Sequence, residues 1–511
     1  MLGNKVAYFS LIGEKVMLLS SVVKGLEFTK VKGTLDKQVS SIVLDSRKAI
    51  ENSIFVAISG FQTDGHKFIN QAIENGANTI VVEKNISKVA SDVTILKVKD
   101  ARDALAALSV NFFKNPTEQL NLIGITGTNG KTSISYFIKS IFEQDERSTG
   151  VIGTNGTEFN NQFFKNDNTT PESSDLQKIF SEMASLKIDT GIMEVSSHSL
   201  ELKRVAHSKF NTAIFTNLTP DHLELHGTMG NYFEAKAKLF EMSSDYNIIN
   251  IDDPYGMKLV EELASRHKTI ITYGVENKAD VFASNIQLHD GFSEYILNTP
   301  LGQIEIRVNL PGMIYVYNSL AAAACAYGNQ ISLSDIKKGL SKVTSIKGRL
   351  EVVYKENGFK VVVDFAHTED SLKKSLTTLK PFTKGKLILV FGVYAAPGEK
   401  GKGKREGMAN IAANFADFSI VTSDNPKHQD PDKIVKEVGQ AMKKENGKFV
   451  GIVDREEAIE YALEMSEPND TVLLAGKGHE NTQIIGNQAI PFDEAEIVQK
   501  YFKAKKASIQ S

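Results

Sequence analysis

The segment LNLIGITGTNGKTSISYFIKSIF, residues 120–142, constrains the fold more than any other stretch of the chain. An apolar run is followed by Gly127, Thr128, Asn129, Gly130, Lys131 and Thr132, and then by a helical stretch. Strand, glycine loop and helix together surround phosphate oxygens with backbone N–H groups and a helix N-terminus. Lys131 is placed to neutralise the outer phosphates, and Thr132 to reach Mg²⁺. Position 125 is Ile where the usual phosphate loop begins with Gly, so the strand–loop–helix context carries the reading rather than the spacing.

The alternation extends in both directions. Residues 41–100 set short apolar runs such as SIFVAI and TIVV against polar helical stretches, the pattern of a small mixed α/β domain. The pattern breaks near Asn115 and Pro116. Beyond them TGIMEV, TAIFTN, NIINI and TIITYG alternate with helices, as in a nucleotide-binding parallel sheet. Residues 290–308 read as a hairpin and NSLAAAACAYG as a tightly packed helix. The runs VVVDF, KLILVFG, FSIVTS, FVGIV and TVLLAG then mark a Rossmann-like region. The expectation is an α/β protein of three domains. These are a small mixed N-terminal domain (1–118), a central parallel-sheet P-loop ATPase domain (119–346) and a C-terminal Rossmann-like domain (347–511). Residues 1–16 precede Met17, a possible second start, and read as an extension. Pro397 to Arg405, rich in Gly and Lys, reads as a mobile loop.

Composition narrows the partners. A net charge of -3 gives no global reason for nucleic acid or a membrane surface. No 18-residue apolar run occurs, and residues 6–20 are too interrupted for a span or a signal peptide. Cys325 is the only cysteine, which excludes an intrachain disulfide and argues against a Cys-based zinc site. A soluble, cytoplasmic monomer is expected.

Parallel sheets bind ligands at the carboxyl ends of their strands, and the polar clusters of this chain stand there. Glu194 closes GIMEV. A carboxylate beside a phosphate loop commonly holds the nucleotide's magnesium, although a strand-end acid can simply face solvent. Asp221 and His222 follow TAIFTN, where a histidine is either a metal ligand or, more often, structural. Lys236, fourteen residues later, reads as a helix-surface lysine. Asp364 to His367, Ser423 to Lys427 and Gly476 to Glu480 end three strands of one region. Each alone fits a capping turn, but together they would share one rim.

In order, the motifs are LDSR (44–47), FVAISGFQTDGHKFI (55–69), GTNGKT (127–132), NTTPES (168–173), MEVSSHSLELKRV (193–205) and FTNLTPDHLELHGTMGNYF (215–233), continuing with YNSLAAAA (317–324), GRLEVV (348–353), DFAHTEDSL (364–372), TSDNP (422–426) and AGKGHE (475–480). This ordered set resembles the Mur ligase family, and within it the members that add the third residue to a nucleotide-linked muramyl dipeptide. The resemblance implies an ATP-dependent acid–amino-acid ligase of peptidoglycan precursor synthesis. ATP would phosphorylate the D-glutamyl carboxylate of the UDP-linked muramyl dipeptide, and the amine of a free amino acid would attack the acyl phosphate. It implies catalytic roles for Lys131, Lys236 and His222. ATP would be held by Gly127, Thr128, Asn129, Gly130, Lys131, Thr132, Asn318, Arg349 and Asp364. Thr132 and Glu194 would hold one Mg²⁺, and His222 a second together with Lys236, the latter carrying CO₂ as a carbamate. Ser46, His66, Thr169, Thr170, Ser196 and Arg204 match positions that grip the UDP-linked substrate. Lys400, Asp424, Asn425, Lys427, Gly476 and Glu480 match those around the incoming amino acid.

The departures bear on specificity. The family's Gly-x-Phe-Asn reads Gly312, Met313, Ile314, Tyr315, and Glu369 replaces a proline. The Asp-Arg-Asp and Asp-Asn-Pro-Arg segments of diaminopimelate-adding relatives are absent; Lys427 stands where the latter has Arg. Arg grips a carboxylate with two parallel N–H bonds, whereas Lys offers a single compact charge. L-Lysine is therefore the expected amino acid, its far ammonium meeting Glu480 or Asp424, with meso-diaminopimelate or L-ornithine as alternatives. A nucleotide-binding scaffold without activity is the rival of another class.

Overall fold

The computed structural model describes residues 16–60, 63–86, 92–394 and 398–510, so almost all of the supposed N-terminal extension lies outside the described residues. Three main sheets carry the chain. The first has five strands in the order Thr29–Lys32, Thr94–Lys97, Ala77–Val82, Ser53–Val56 and Ser41–Val43, antiparallel only at the first pair.

The central sheet has eleven strands. Its parallel core runs Thr149–Gly153, Thr190–Glu194, Asn121–Thr126, Phe210–Phe215, Ser243–Asn250 and Ile270–Gly274. The Ile- and Val-rich strands are buried on both faces, which is why they read as continuous apolar runs rather than alternating ones. Phe292–Thr299 and Gly302–Val308 form the expected hairpin. The helix Met313–Gly328 is tightly packed, with Ala321 through Ala326 fully buried. Its run of small side chains lets it lie close against both the sheet and the helix Lys131–Gln144.

The third sheet has six strands in the order Glu351–Glu356, Phe359–Asp364, Thr471–Ala475, Leu387–Gly392, Phe418–Thr422 and Phe449–Gly451, parallel apart from the first pair. The stretch read as a mobile loop is largely helical, because Glu399–Phe415 forms a helix that begins shortly after the strand Leu387–Gly392. Apolar residues at Met408, Ala409 and Ala412 anchor that helix and override the glycines of its first turns. A single apolar cluster runs from Ile123 and Ile134 through Leu350 and Leu372 to Leu389 and Leu473. This continuity sets the helix Glu369–Leu379 against the glycine loop, where Asn129 Nδ2 donates to Asp370 Oδ2 at 2.7 Å. Among the described residues no helix is long and apolar enough to cross a membrane.

Candidate active site

The glycine loop joins the strand Asn121–Thr126 to the helix Lys131–Gln144. Ile125, in place of a glycine, is a fully buried strand residue, so the loop proper begins at Gly127. Gly127 and Gly130 have φ of 140° and 94°, conformations that side chains rarely adopt. A Cβ on Gly130 would also lie 2.5 Å from Asn318 Oδ1. Asn217 pins the loop, accepting from Thr128 N at 2.9 Å on its carbonyl and from Asn129 N at 3.0 Å on its side chain. Lys131 Nζ arches over the loop and donates to the carbonyls of Gly127 and Thr128 at 3.0 and 2.9 Å. Burial lowers its pKa, against the opposing charges of Glu194 and Asp221.

Glu194 does not face solvent: it is 1% exposed. Oε1 accepts from Thr132 Oγ1 at 2.9 Å and Thr154 N at 2.9 Å, and Oε2 from Thr154 Oγ1 at 3.0 Å. Arg349 Nη2 reaches Thr132 Oγ1 at 3.0 Å. A hydroxyl and a carboxylate beside a phosphate loop form the hard oxygen set that suits magnesium.

Lys236 differs most from its sequence reading. It is 2% exposed rather than on the surface, since the helix Met229–Glu241 turns Tyr232, Phe233, Lys236, Leu239 and Phe240 inward as one stripe. That spacing was present in the sequence as a lysine on an apolar face. Its Nζ donates to the Gly127 carbonyl at 2.9 Å, so two lysines share one acceptor. Burial, then the charge of Lys131, pushes its pKa well down, which favours the neutral, nucleophilic amine. His222 touches the same aromatic ring as Lys236: their separations from the Tyr232 centroid are 6.5 Å for the imidazole and 4.6 Å for Nζ. His222 Nε2 lies 3.4 Å from Asp221 Oδ2, and its ring edge meets His198. Among the described residues no three His, Cys, Asp or Glu groups converge as a metal site.

Two clefts flank the loop and share Asn129, Gly130, Ile314 and Asn318. One, of about 270 Å³, is lined by Lys131, Glu194, Thr169, Ser196, His222 and Arg349. The other, of about 290 Å³, is lined in addition by Asn250, Asp252, Tyr317 and Lys374, four residues to which the sequence reading gave no site role. For Asn250 and Asp252 the signal was the polar NIDDP stretch at the end of the strand Ser243–Asn250. Between the clefts Asn318 Nδ2 is buried and, among the described residues, without a partner, a donor whose desolvation a bound ligand would offset. Asp364 is committed within the wall, accepting from Leu350 N at 3.1 Å and Ser375 Oγ at 2.5 Å. Tyr315, which departs from the family's Asn, is buried and donates to the Arg349 carbonyl at 2.6 Å.

The residues read as gripping the nucleotide-linked substrate divide into two groups. Thr169 Oγ1 lies 3.1 Å from Thr154 Oγ1, Thr170 Oγ1 donates to the Glu194 carbonyl, and Ser196 N donates to Thr170 Oγ1. Arg204 Nη1 donates to the Thr170 carbonyl, and its Nε pairs with Glu172 at 2.8 Å. Thr169, Thr170 and Ser196 thus lie beside Glu194, and Arg204 is tied to them through the Thr170 carbonyl. Ser46 and His66 line neither cleft. Ser46 Oγ donates to Gln71 Oε1 at 2.7 Å, while His66 pairs through Nδ1 with Asp64 and accepts from Glu83 N through Nε2. Both belong to turns whose Asp side chain accepts from the backbone two residues on, so their polar atoms serve the N-terminal domain.

At the rim of the six-stranded sheet, Asn425 Nδ2 donates to Glu480 Oε2 at 3.0 Å, and Asp424 adjoins Gly476. Lys427 Nζ lies 3.1 Å from the Tyr394 hydroxyl and 4.5 Å from its ring centroid. The side chain of Lys400, with residues 395–397, lies outside the described residues. Lys477 was not singled out, yet it is fully buried and bonded to both Asn425 and Glu480.

Comparison with known proteins gives this arrangement a family context. The description "Mur ligase family, catalytic domain" matches residues 38–113, "Mur ligase middle domain" residues 125–326, and "Mur ligase, glutamate ligase domain" residues 348–478. A Clostridium perfringens protein named UDP-N-acetylmuramoyl-L-alanyl-D-glutamate–2,6-diaminopimelate ligase is 43% identical over 493 residues, 96% of this chain and 100% of that one. A protein of the same name from Alkaliphilus metalliredigens is 42% identical over 487 residues, 95% of this chain and 98% of that one. A solved structure of a ligase of this name is 29% identical, with a TM-score of 0.67 over 96% of this chain and 99% of that one.

Proposed function

The chain belongs to the Mur ligase family, and from that premise we propose that it adds meso-diaminopimelate to UDP-N-acetylmuramoyl-L-alanyl-D-glutamate at the expense of ATP. The observation that carries the amino acid is its likeness, at 43% and 42% identity along nearly the whole length, to proteins named for 2,6-diaminopimelate. That likeness favours diaminopimelate over the L-lysine expected from the missing arginine. The rim is compatible with it: the Lys427 ammonium and Tyr394 hydroxyl, 3.1 Å apart, present two donors to a far carboxylate where a guanidinium fork would present two.

In this reading the clefts beside the glycine loop take ATP, with the triphosphate on the side of Lys131 and Glu194 and the nucleoside on the side of Asp252 and Tyr317. Lys131 neutralises charge on the phosphates, and the first turn of its helix offers backbone N–H groups. Thr132 and Glu194 would hold Mg²⁺, which supplies further charge neutralisation when bound. The neutral Lys236 amine would add CO₂ and release a proton, giving a carbamate anion on the Tyr232 ring that His222 also faces. Thr169, Thr170, Ser196 and Arg204 orient the muramyl dipeptide so that its D-glutamyl carboxylate meets the γ-phosphate. The amino-acid amine then displaces phosphate from the acyl phosphate. Positioning and charge neutralisation account for most catalysis of this type.

The test is product formation by the purified protein from ATP and the UDP-linked dipeptide, offered meso-diaminopimelate, L-lysine and L-ornithine in turn. Preference for diaminopimelate is expected. Preference for L-lysine would restore the argument from the missing arginine, and nucleotide binding without product in any arm would sink the ligase reading.

A further inference from the structure

Lys477 lies two residues past the strand Thr471–Ala475, after Gly476, and its side chain has no exposed surface. A buried ammonium is costly unless its donors are placed, and here they are. Nζ donates to Asn425 Oδ1 at 3.0 Å and to Glu480 Oε2 at 2.8 Å, while Asn425 Nδ2 closes the triangle on Glu480 Oε2 at 3.0 Å. Asn425 Oδ1 also accepts from Ile484 N at 3.0 Å, so its amide has only one orientation that satisfies all three of its contacts. Glu480 Oε2 thus accepts twice from within the protein. Among the described residues Oε1 of the same carboxylate takes no hydrogen bond, and the Glu480 side chain is 31% exposed.

We propose that Lys477 is a positioning residue for amino-acid selection: it never touches the substrate, but it fixes Glu480 Oε1 as the acceptor for an ammonium of the incoming amino acid. The inference rests on the ligase reading above. Without Lys477, Glu480 would keep its charge but lose the bond that sets its rotamer. The affinity for the amino acid would fall, while the ATP and dipeptide sites, built from other residues, would hold.

The experiment is steady-state phosphate release by wild type, Lys477→Gln, Lys477→Met, Glu480→Gln and the Lys477→Gln/Glu480→Gln pair, with each substrate varied in turn and unfolding followed alongside. Lys477→Gln keeps a donor for Asn425 and guards against a Met variant that fails to fold. The expected result is a KM for the amino acid raised about tenfold or more, KM for ATP and dipeptide within about twofold, and no further rise when Glu480→Gln is added. An unchanged amino-acid KM, an additive double variant, or all three KM values rising together would overturn the proposal. A wild type that uses no amino acid overturns the ligase reading and this inference with it, whereas wild-type turnover with unaffected variants overturns this inference alone.

Discussion

Two buried lysines meet at the Gly127 carbonyl, and they invite opposite tests. Lys131 acts by its charge, so Lys131→Ala should lower turnover by about a hundredfold to a thousandfold with little loss of stability. Retained turnover in phosphate release would remove the glycine-loop assignment. Lys236 acts in the proposal by losing its charge. Lys236→Ala should be nearly inactive, regain part of its rate with added acetate or another short carboxylate, and lose the wild-type response to bicarbonate. Wild-type rates in that variant would leave Lys236 a structural residue. His479 tests burial itself. Burial, then the charges of Arg349 and Lys347, holds its pKa down to about 3 against an ordinary 6.5. The unfolded chain therefore takes up a proton below about pH 6.5 that the native state refuses until about pH 3, and stability falls as pH falls through that window. His479→Gln should flatten the acid side of a denaturation profile measured between pH 7 and pH 4. An unchanged slope would show that other groups set it.

Among the elements, the helix Glu369–Leu379 stands against the glycine loop and depends on its start. Thr368 and Ser371 form a reciprocal capping box, and Asp370 of its first turn holds Asn129. Thr368→Ala should cost about 1 kcal/mol in denaturant unfolding. Because the same turn braces the loop, KM for ATP should rise with it, and a stability loss without that rise would separate the cap from the site. The helix Met313–Gly328 is limited by volume instead. With Ala321 to Ala326 all at 0% exposure, Ala323→Leu should destabilise by about 1 to 3 kcal/mol through overpacking, read as a lower denaturation midpoint.

For the whole molecule, the candidate site exists because the central and C-terminal sheets bring their loops together. The central and C-terminal sheets share one apolar cluster, and Lys360, 5% exposed, reaches across to Asp290 at 2.7 Å. The fold class was legible because the inner parallel strands are short apolar runs ending in turns, a pattern that burial on both faces imposes. The glycine loop was legible because its geometry is local. Lys236 was named only through the family resemblance, because its apolar stripe packs on a surface distant in sequence, and Lys477 was not singled out, because its loop closes on Asn425, fifty-two residues away. The helix Glu399–Phe415 was misread as a loop because tertiary packing outweighed its glycines.

The sequence by itself determined the phosphate loop, the order of the strands and the motifs that mark the family, since each depends on contacts within a few residues. Only the tertiary structure decided which of the polar groups face a cleft and which are spent inside the protein. Ser46 and His66 are satisfied by neighbours, whereas Asn318 keeps an unpaired donor. The physical reason is that hydrogen-bond satisfaction and desolvation belong to the assembled surroundings of a side chain, and those surroundings come from segments far apart along the chain.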